Sequence, residues 1–306
     1  MSYFTHRDEK RRQVALEAVS STVVDGSGPE GPAGPEDALA GPARSLRADA
    51  IRRLKKNKLA VAGLIWIIII ILIAITADLW VPRWLGDPVA IDSTTAAERM
   101  LLSPSTEHPF GTDSLGRDIF SRVVFGSRIS VPVAFMVVGV ALLLGGTVGL
   151  VAGYFGKAVD EILMRICDLV LSFPGIILAL AIAAALGPSL TNSLIAVVAV
   201  SWPIYARLMR SLVISMRSSE YVDAVVAQGA RVPRILAGTV IPNTISAVFI
   251  MATLDLGNAM LTFAGLSFLG LGQAPPTAEW GAMVSVGAQD FTKWWVAMFP
   301  GLAIVS

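Results

Sequence analysis

Apolar residues gather in long unbroken runs, without the alternation of half-buried strands. Leu59 to Ala77 is nineteen residues without a charge, with six isoleucines between Ile67 and Ile73. At a rise of about 1.5 Å per residue, such a run nearly crosses a hydrocarbon core of roughly 30 Å. Four further runs follow: Val131 to Val151, Leu169 to Leu186 with a bend near Pro174, Leu194 to Val213 interrupted by Pro203 and Arg207, and Ile245 to Leu271 carrying Asp255 and Asn258. Trp294 to Ser306 begins a sixth, but its thirteen residues are too few to cross. That last helix is expected to be cut, or completed by something beyond this chain.

The polar segments differ from one another. Gly26 to Pro42 is built of Gly, Pro, Ala and acids and cannot bury enough apolar area to offset chain entropy. Residues 1–50 are therefore expected to be a disordered tail, not a cleavable signal, because no apolar segment follows the first charges. Arg52, Arg53, Lys55, Lys56 and Lys58 stand directly before the first run and predict a cytosolic amino terminus. With that orientation eighteen Lys and Arg fall inside and six outside. Trp80 and Trp84 then sit where an outer aromatic belt belongs. In the first outer loop, Ile119 to Ile129 mixes apolar and basic residues in a helical rhythm and predicts a separate interfacial helix.

Composition agrees. Of 306 residues, 54% are hydrophobic and 15% charged, against about 25% charged in ordinary soluble domains. A formal net charge of +1 excludes a nucleic-acid binder. One cysteine, Cys167, excludes an internal disulfide framework and is read as packing. Two histidines, His6 and His108, leave little room for a metal or catalytic centre. Nor can the chain hold ATP through a Walker loop. Its only Gly-Lys pair, Gly156-Lys157, is followed by Ala158, and Val151 stands where the first glycine is needed. Neither H-E-x-x-H nor G-x-S-x-G occurs, so an intramembrane hydrolase lacks its parts. The expected fold is an all-α polytopic membrane protein, with 1–50 as tail and 51–306 as the membrane domain.

Three segments carry more specific information. Ser218 to Asn243 reads as helix, turn, helix: Ser218 or Ser219 caps, Glu220 and Asp223 occupy the first turn, Gly229 ends the helix in the left-handed region, and Pro233 opens the next. Pro242 marks re-entry into the membrane. Such a projecting helix, with small residues at Ala224, Ala227 and Ala230, suits a groove on a cytosolic partner; the plainer reading is an amphipathic connector. His108 to Ser130 holds a polar cluster of Thr112, Asp113, Arg117 and Asp118, in which Asp113 or Asp118 pairs with Arg117 or Arg122. The pairing either fixes a loop over the pore mouth or is an exposed ion pair worth at most about 1 kcal/mol. Leu266 to Gly281, with Gly265 just before it, holds Gly270 and Gly272; these three glycines allow close helix approach or a break, and Pro275-Pro276 and then Trp280 as an interfacial anchor follow.

Asp255 lies within a span, where an acid is expensive unless it faces a cavity or a partner. With Asn258 one turn on, it either lines a translocation path or bonds across helices, to a partner or to Arg207. Arg165 and Asp168 read as a solvated i,i+3 pair.

The run Asp223-Ala224-Val225, then Gly229, then Ile241-Pro242 resembles the EAA loop of ABC-importer permeases, with Asp223 for the usual Glu, Val225 for the second Ala, and Thr239 for a His or Ile. HPFGTDSLGRDIFSRVVFGSRIS and LSFLGLGQAPPTAEWG resemble two signatures of the dipeptide/oligopeptide/nickel permeases, C-type subunit. The resemblance covers Leu54 to Ser306. It implies a type I ABC-importer transmembrane domain of six spans, with Tyr221, Asp223, Ala224, Val225, Gly229 and Pro242 coupling to an ATPase. It also implies partners: a second homologous permease, two cytosolic ATPases that carry ATP and Mg, and an extracytoplasmic binding protein. This chain then holds no cofactor and lies in the cytoplasmic membrane. Peptides are the implied cargo, with nickel, glutathione or haem as alternatives. A reading of another class is a self-sufficient secondary transporter or channel with Asp255 as its proton or cation site.

Overall fold

A computed structural model describes residues 57–85, 96–273 and 276–306. The expected tail at 1–50, the cluster Arg52, Arg53, Lys55 and Lys56, and Pro275 lie outside the described residues. So do the side chains of Trp80, Trp84 and Tyr221. The chain divides into two compact units, Met1–Trp66 and Ile67–Ser306. Of the first, the described part is the start of a helix, α1 (Lys58–Leu85), capped by Asn57, whose Oδ1 accepts from the Ala60 amide at 3.2 Å.

All regular structure among the described residues is helical. After α2 (Ala96–Arg99) come α3 (Ile119–Phe155), α4 (Lys157–Leu171), α5 (Gly175–Leu186), α6 (Leu190–Arg217), α7 (Glu220–Ala227) and α8 (Val232–Ile235). A π turn (Leu236–Val240) leads into α9 (Ile241–Phe268), followed by α10 (Trp280–Gly287) and α11 (Trp295–Val305). Four helical stretches are long and apolar enough to cross a membrane, namely α1, α3, α6 and the run from Val232 to Phe268. A fifth counts if α4 and α5 form one span. At eleven residues, roughly 16 Å, α11 is too short to cross on its own.

Three expectations need correction. Ile119 to Ile129 is no separate interfacial helix. It forms the first turns of α3, which runs 37 residues through Pro132 without a break. The basic residues that suggested an interface have polar partners within the chain: Arg122 is buried beside Asp113, and Arg128, partly exposed, pairs with Asp78 at 2.9 Å and donates to the Ile75 carbonyl at 3.2 Å. The expected third span does bend near Pro174, but as a full break between two helices, the first of which starts well before Leu169. There α4 and α5 meet at 87° around Ser172, Phe173 and Pro174. Proline disfavours helical backbone in the residue before it, and Pro174 itself caps α5 with extended ψ. Pro203 and Arg207 do not interrupt α6, where Pro203 is buried against the bundle.

The core is set by α3 and α6, which run side by side in the same direction. A Cβ at Gly145 would stand 2.1 Å from the Trp202 carbonyl, and one at Gly149 2.2 Å from that of Ala206. At Gly153 it would stand 2.8 Å from Val213 Cβ. Only glycine permits these backbones to touch, and the four-residue spacing keeps all three on one face. Around this seam pack Val137, Val197, Tyr205, Val213, Val248 and Phe263, all buried. A Cβ at Gly265 or Gly270 meets nothing within 4 Å, so neither serves close approach; Gly270, with φ +83°, instead supplies the expected break just past the end of α9. Gly272 does need its bareness, against Ser267.

Gly149→Val is therefore expected to lower the yield of monodisperse protein in detergent severalfold, because the neighbour in the way is backbone and cannot swing aside. Gly139→Val, whose added Cβ meets nothing, should leave the yield near wild type. Equal yields for the two would contradict the seam.

Candidate functional site

At the α3 amino-terminal end the polar cluster is buried, which excludes the exposed ion pair. Thr112, Asp113, Arg117 and Asp118 are all less than a tenth exposed. Asp118 caps α3, its Oδ1 accepting from the Ser121 amide at 2.7 Å, while Oδ2 meets His108 Nδ1 at 2.9 Å. Burial holds its carboxyl above the ordinary range, opposed by the Ser121 amide and by His108. Asp113 folds the loop on itself: Oδ1 accepts from the Leu115 and Arg117 amides at 2.8 and 3.0 Å, and Oδ2 from Arg117 Nε at 2.9 Å. Arg122 Nε lies 3.6 Å from the same oxygen. So Asp113 serves both arginines, and Asp118 takes His108, which had been given no partner. Thr112 Oγ1 donates to the Arg99 carbonyl and accepts from the Leu102 amide at 2.8 Å, tying the loop to α2.

This knot grips the second signature. Arg117 and Arg122 both donate to the Pro276 carbonyl, at 3.4 and 3.2 Å. Trp280 is not an exposed interfacial anchor. It is buried over Gly126, with Nε1 donating to the Val123 carbonyl at 2.8 Å. Between them sits Glu279, fully buried and unmarked in the sequence reading. Its carboxylate caps α10, accepting from the Gly281 and Ala282 amides at 2.8 Å each, and takes hydroxyls from Ser267 of α9 and Ser130 of α3. Glu directly before a Trp-Gly helix start was a capping signal, but nothing local announced its partners 12 and 149 residues away.

Midway along the bundle, Asp255 is buried and Asn258 exposed. Asp255 Oδ2 accepts from the Tyr205 hydroxyl at 2.8 Å and Oδ1 from Asn258 Nδ2 at 3.2 Å. Arg207, the alternative partner, turns instead to Asp168 at 2.5 Å. The expected Arg165–Asp168 pair is replaced by this bond, and Arg210 likewise reaches Asp160 on α4, with its second nitrogen at 2.6 Å. Cys167 is buried, as packing requires.

At the opposite end from the knot, α7 hangs between α6 and α8. Val222 is buried in the bundle core and Val225 half-buried, while Asp223, Ala224 and Gly229 are exposed. Gly229 has φ +78°, the left-handed ending expected of it. Pro233 falls in the first turn of α8 and Pro242 in that of α9, each exposed. Ser219 occupies the cap position without capping, because its hydroxyl donates to the Met216 carbonyl at 2.6 Å. Among the described residues no group of three or more His, Cys, Asp or Glu side chains could hold a metal.

Long apolar helices, with a buried polar latch at one end and a small exposed helix at the other, define a polytopic membrane protein. Residues 145–306 match the family described as binding-protein-dependent transport system inner membrane component. Residues 45–102 match the N-terminal transmembrane domain of oligopeptide transport permease C. A dipeptide transport system permease protein of Alkalihalophilus pseudofirmus is 46% identical over 258 residues, 84% of this chain and 83% of that protein. A probable D,D-dipeptide transport system permease protein of Escherichia coli is 39% identical over 274 residues, 85% and 90% of the two chains. A nickel transport system permease protein of Escherichia coli is 44% identical over 247 residues, 79% and 85% of the two. The chain belongs to the peptide/nickel family of ABC-importer permeases, C-type, and is a multi-pass membrane subunit of a binding-protein-dependent importer. Such a subunit works with ATPase and substrate-binding partners.

Replacing Asp113 by Ala would leave two buried guanidinium groups facing each other without their shared carboxylate. Loss of one partner in such a site costs about 3–5 kcal/mol. Thermal unfolding of the purified variant in detergent should fall by several degrees; an unchanged midpoint would mean the knot adds little.

Proposed function

We propose that the chain forms one half of a translocation pore for di- or oligopeptides, beside a second homologous permease in the cytoplasmic membrane. Six spans, the last begun by α11, make up the membrane domain 51–306, and the amino terminus with tail 1–50 is cytosolic. The segment 218–243 couples to two separate ATPase subunits, which carry ATP and Mg; this chain has no catalytic residue and no cofactor. The observation behind the coupling assignment is the half-anchored state of α7: Val222 ties it to the core, and Asp223, Ala224 and Gly229 face outward. A helix held this way passes force from an ATPase surface into α6 and α8, the helices it touches. Tyr221, Val225 and Pro242 complete the coupling segment. ATP binding would draw α7 inward and favour the outward-open state, and hydrolysis would reset it, each nucleotide state stabilising one conformation.

Asp255 and Asn258 are the candidate path residues, the exposed amide of Asn258 being backed by the Tyr205–Asp255 bond. They are suited to hydrogen-bond peptide amides or an amino terminus. Thr112, Asp113, Arg117 and Asp118 brace the outer mouth. Some relatives are named for nickel or for glutathione, so these are the alternative cargoes within the family, with haem beside them. A self-sufficient transporter using Asp255 predicts uptake by the purified chain under an ion gradient alone.

Gly229→Trp tests the coupling reading, since a bulky residue there needs positive φ and fills the exposed face. In membranes holding equal amounts of assembled complex, peptide uptake should fall at least tenfold and stimulation of ATP hydrolysis by the binding protein should vanish. Survival of both would refute it. Copurified binding protein and the ligand that raises ATPase rate decide among cargoes.

A further inference from the structure

We infer that Glu279 is a positioning residue for the transport cycle, fastening α10 to α3 and α9 so that the three helix ends move as one body. Neither the coupling segment nor the path candidates include it. Its two carboxylate oxygens meet four donors in matched pairs. Oε1 accepts from the Gly281 amide at 2.8 Å and lies 3.4 Å from the Ser130 hydroxyl, while Oε2 accepts from the Ala282 amide at 2.8 Å and from the Ser267 hydroxyl. Ser130 Oγ in turn receives the Trp280 amide at 3.3 Å. Every donor is neutral, so the carboxylate is held by geometry alone. Removing a donor leaves a fully buried acceptor short of a partner, which makes each contact matter more than an exposed hydrogen bond.

Close packing surrounds the carboxylate on two sides. A Cβ at Gly281 would stand 2.5 Å from the Ala264 carbonyl of α9, and one at Gly126 of α3 would stand 2.6 Å from the Trp280 ring. The Pro276 carbonyl is taken by Arg117 and Arg122, so the segment 276–287 is tied to the α3 end at both its start and its helix cap. Displacement of α9 during the cycle therefore carries α10 and the start of α3 with it. Alternation between states requires such bistable rigid parts rather than a soft end.

Glutamine cannot replace this carboxylate. Its single oxygen serves one amide, and its NH2 then confronts the other N–H donor to donor. The test uses the full importer, with both permeases, ATPases and binding protein, reconstituted in proteoliposomes and normalised to assembled complex. Glu279→Gln should reduce binding-protein-stimulated ATP turnover and uptake of a radiolabelled dipeptide at least tenfold per complex, with unstimulated hydrolysis within twofold of wild type. Ser267→Ala, which leaves the acid and three donors in place, should reduce both threefold or more. If Glu279→Gln does not assemble, Ser267→Ala alone decides. Wild-type turnover per complex in either variant overturns the inference, including the case where only the amount of complex falls, as a purely structural role would give. The uptake arm rests on the peptide reading. A wild-type complex that imports no dipeptide sinks that reading and leaves the ATPase arm to judge Glu279.

Discussion

Backbone contact between α3 and α6 is the constraint on which the rest of the bundle depends. Helices in a membrane gain little from hiding apolar surface from one another, because lipid is as apolar as leucine. They must associate through close packing, and Gly145, Gly149 and Gly153 allow α6 carbonyls to approach where side chains would stand. The seam fixes the relative register of two helices of 37 and 28 residues. From it follow the position of Tyr205, which reaches Asp255 on α9, and of Arg207 and Arg210, which reach Asp168 and Asp160 on α4. The arginine pairs are partly exposed and each contributes little to stability. Their use is orientation: they hold the amphipathic α4 along α6 up to the sharp turn at Pro174.

The two ends of this bundle are built differently. At the α7 end, polar groups are exposed and the backbone leaves the helical path through Gly229 and a π turn. At the other end, acidic groups are buried and satisfied from within: Asp113 by Arg117 and Arg122, Asp118 by His108 and the Ser121 amide, and Glu279 by neutral amides and hydroxyls. A surface that must meet a partner repeatedly is served by groups that stay hydrated until contact. A part that must move as a unit is served by buried acceptors with no alternative donors, because any slip leaves charge unpaired. The asymmetry therefore fits an importer driven from one end whose opposite end responds as a block.

Much of this was legible in the chain, for identifiable reasons. The α1, α6 and α9 spans announce themselves by length and apolarity, and the left-handed Gly229 by its place after a short helix. The family signatures in 108–130 and 266–281 were also readable. What they do was not. Sequence spacing ranked Asp113 and Asp118 as equivalent partners for two arginines, whereas the cap geometry of α3 assigns Asp118 to Ser121 and His108. The bonds from Glu279 to Ser130 and Ser267 join elements distant in the chain, and no local pattern encodes such a meeting. The stripe Gly145, Gly149, Gly153 carries a signal in its four-residue spacing, a stronger mark of close approach than the irregularly spaced Gly265, Gly270 and Gly272.

The departures at residues 119–129 and at Trp280 share one physical origin. Basic residues in Ile119 to Ile129 suggested an interface because charge is read as a demand for water. Here the demand is met by protein: Arg122 by Asp113 and the Pro276 carbonyl, Arg128 by Asp78 and α1 carbonyls. The same substitution of protein for water explains why Trp280 is buried although tryptophan often sits in membrane belts. Its N–H finds the Val123 carbonyl and its ring finds the bare face of Gly126. A polar residue in a membrane protein thus marks either a water boundary or an internal joint, and the choice depends on whether donors and acceptors can be matched nearby. In this chain the two signature segments match each other, which is why each keeps polar side chains at positions where a span would otherwise be uniformly apolar.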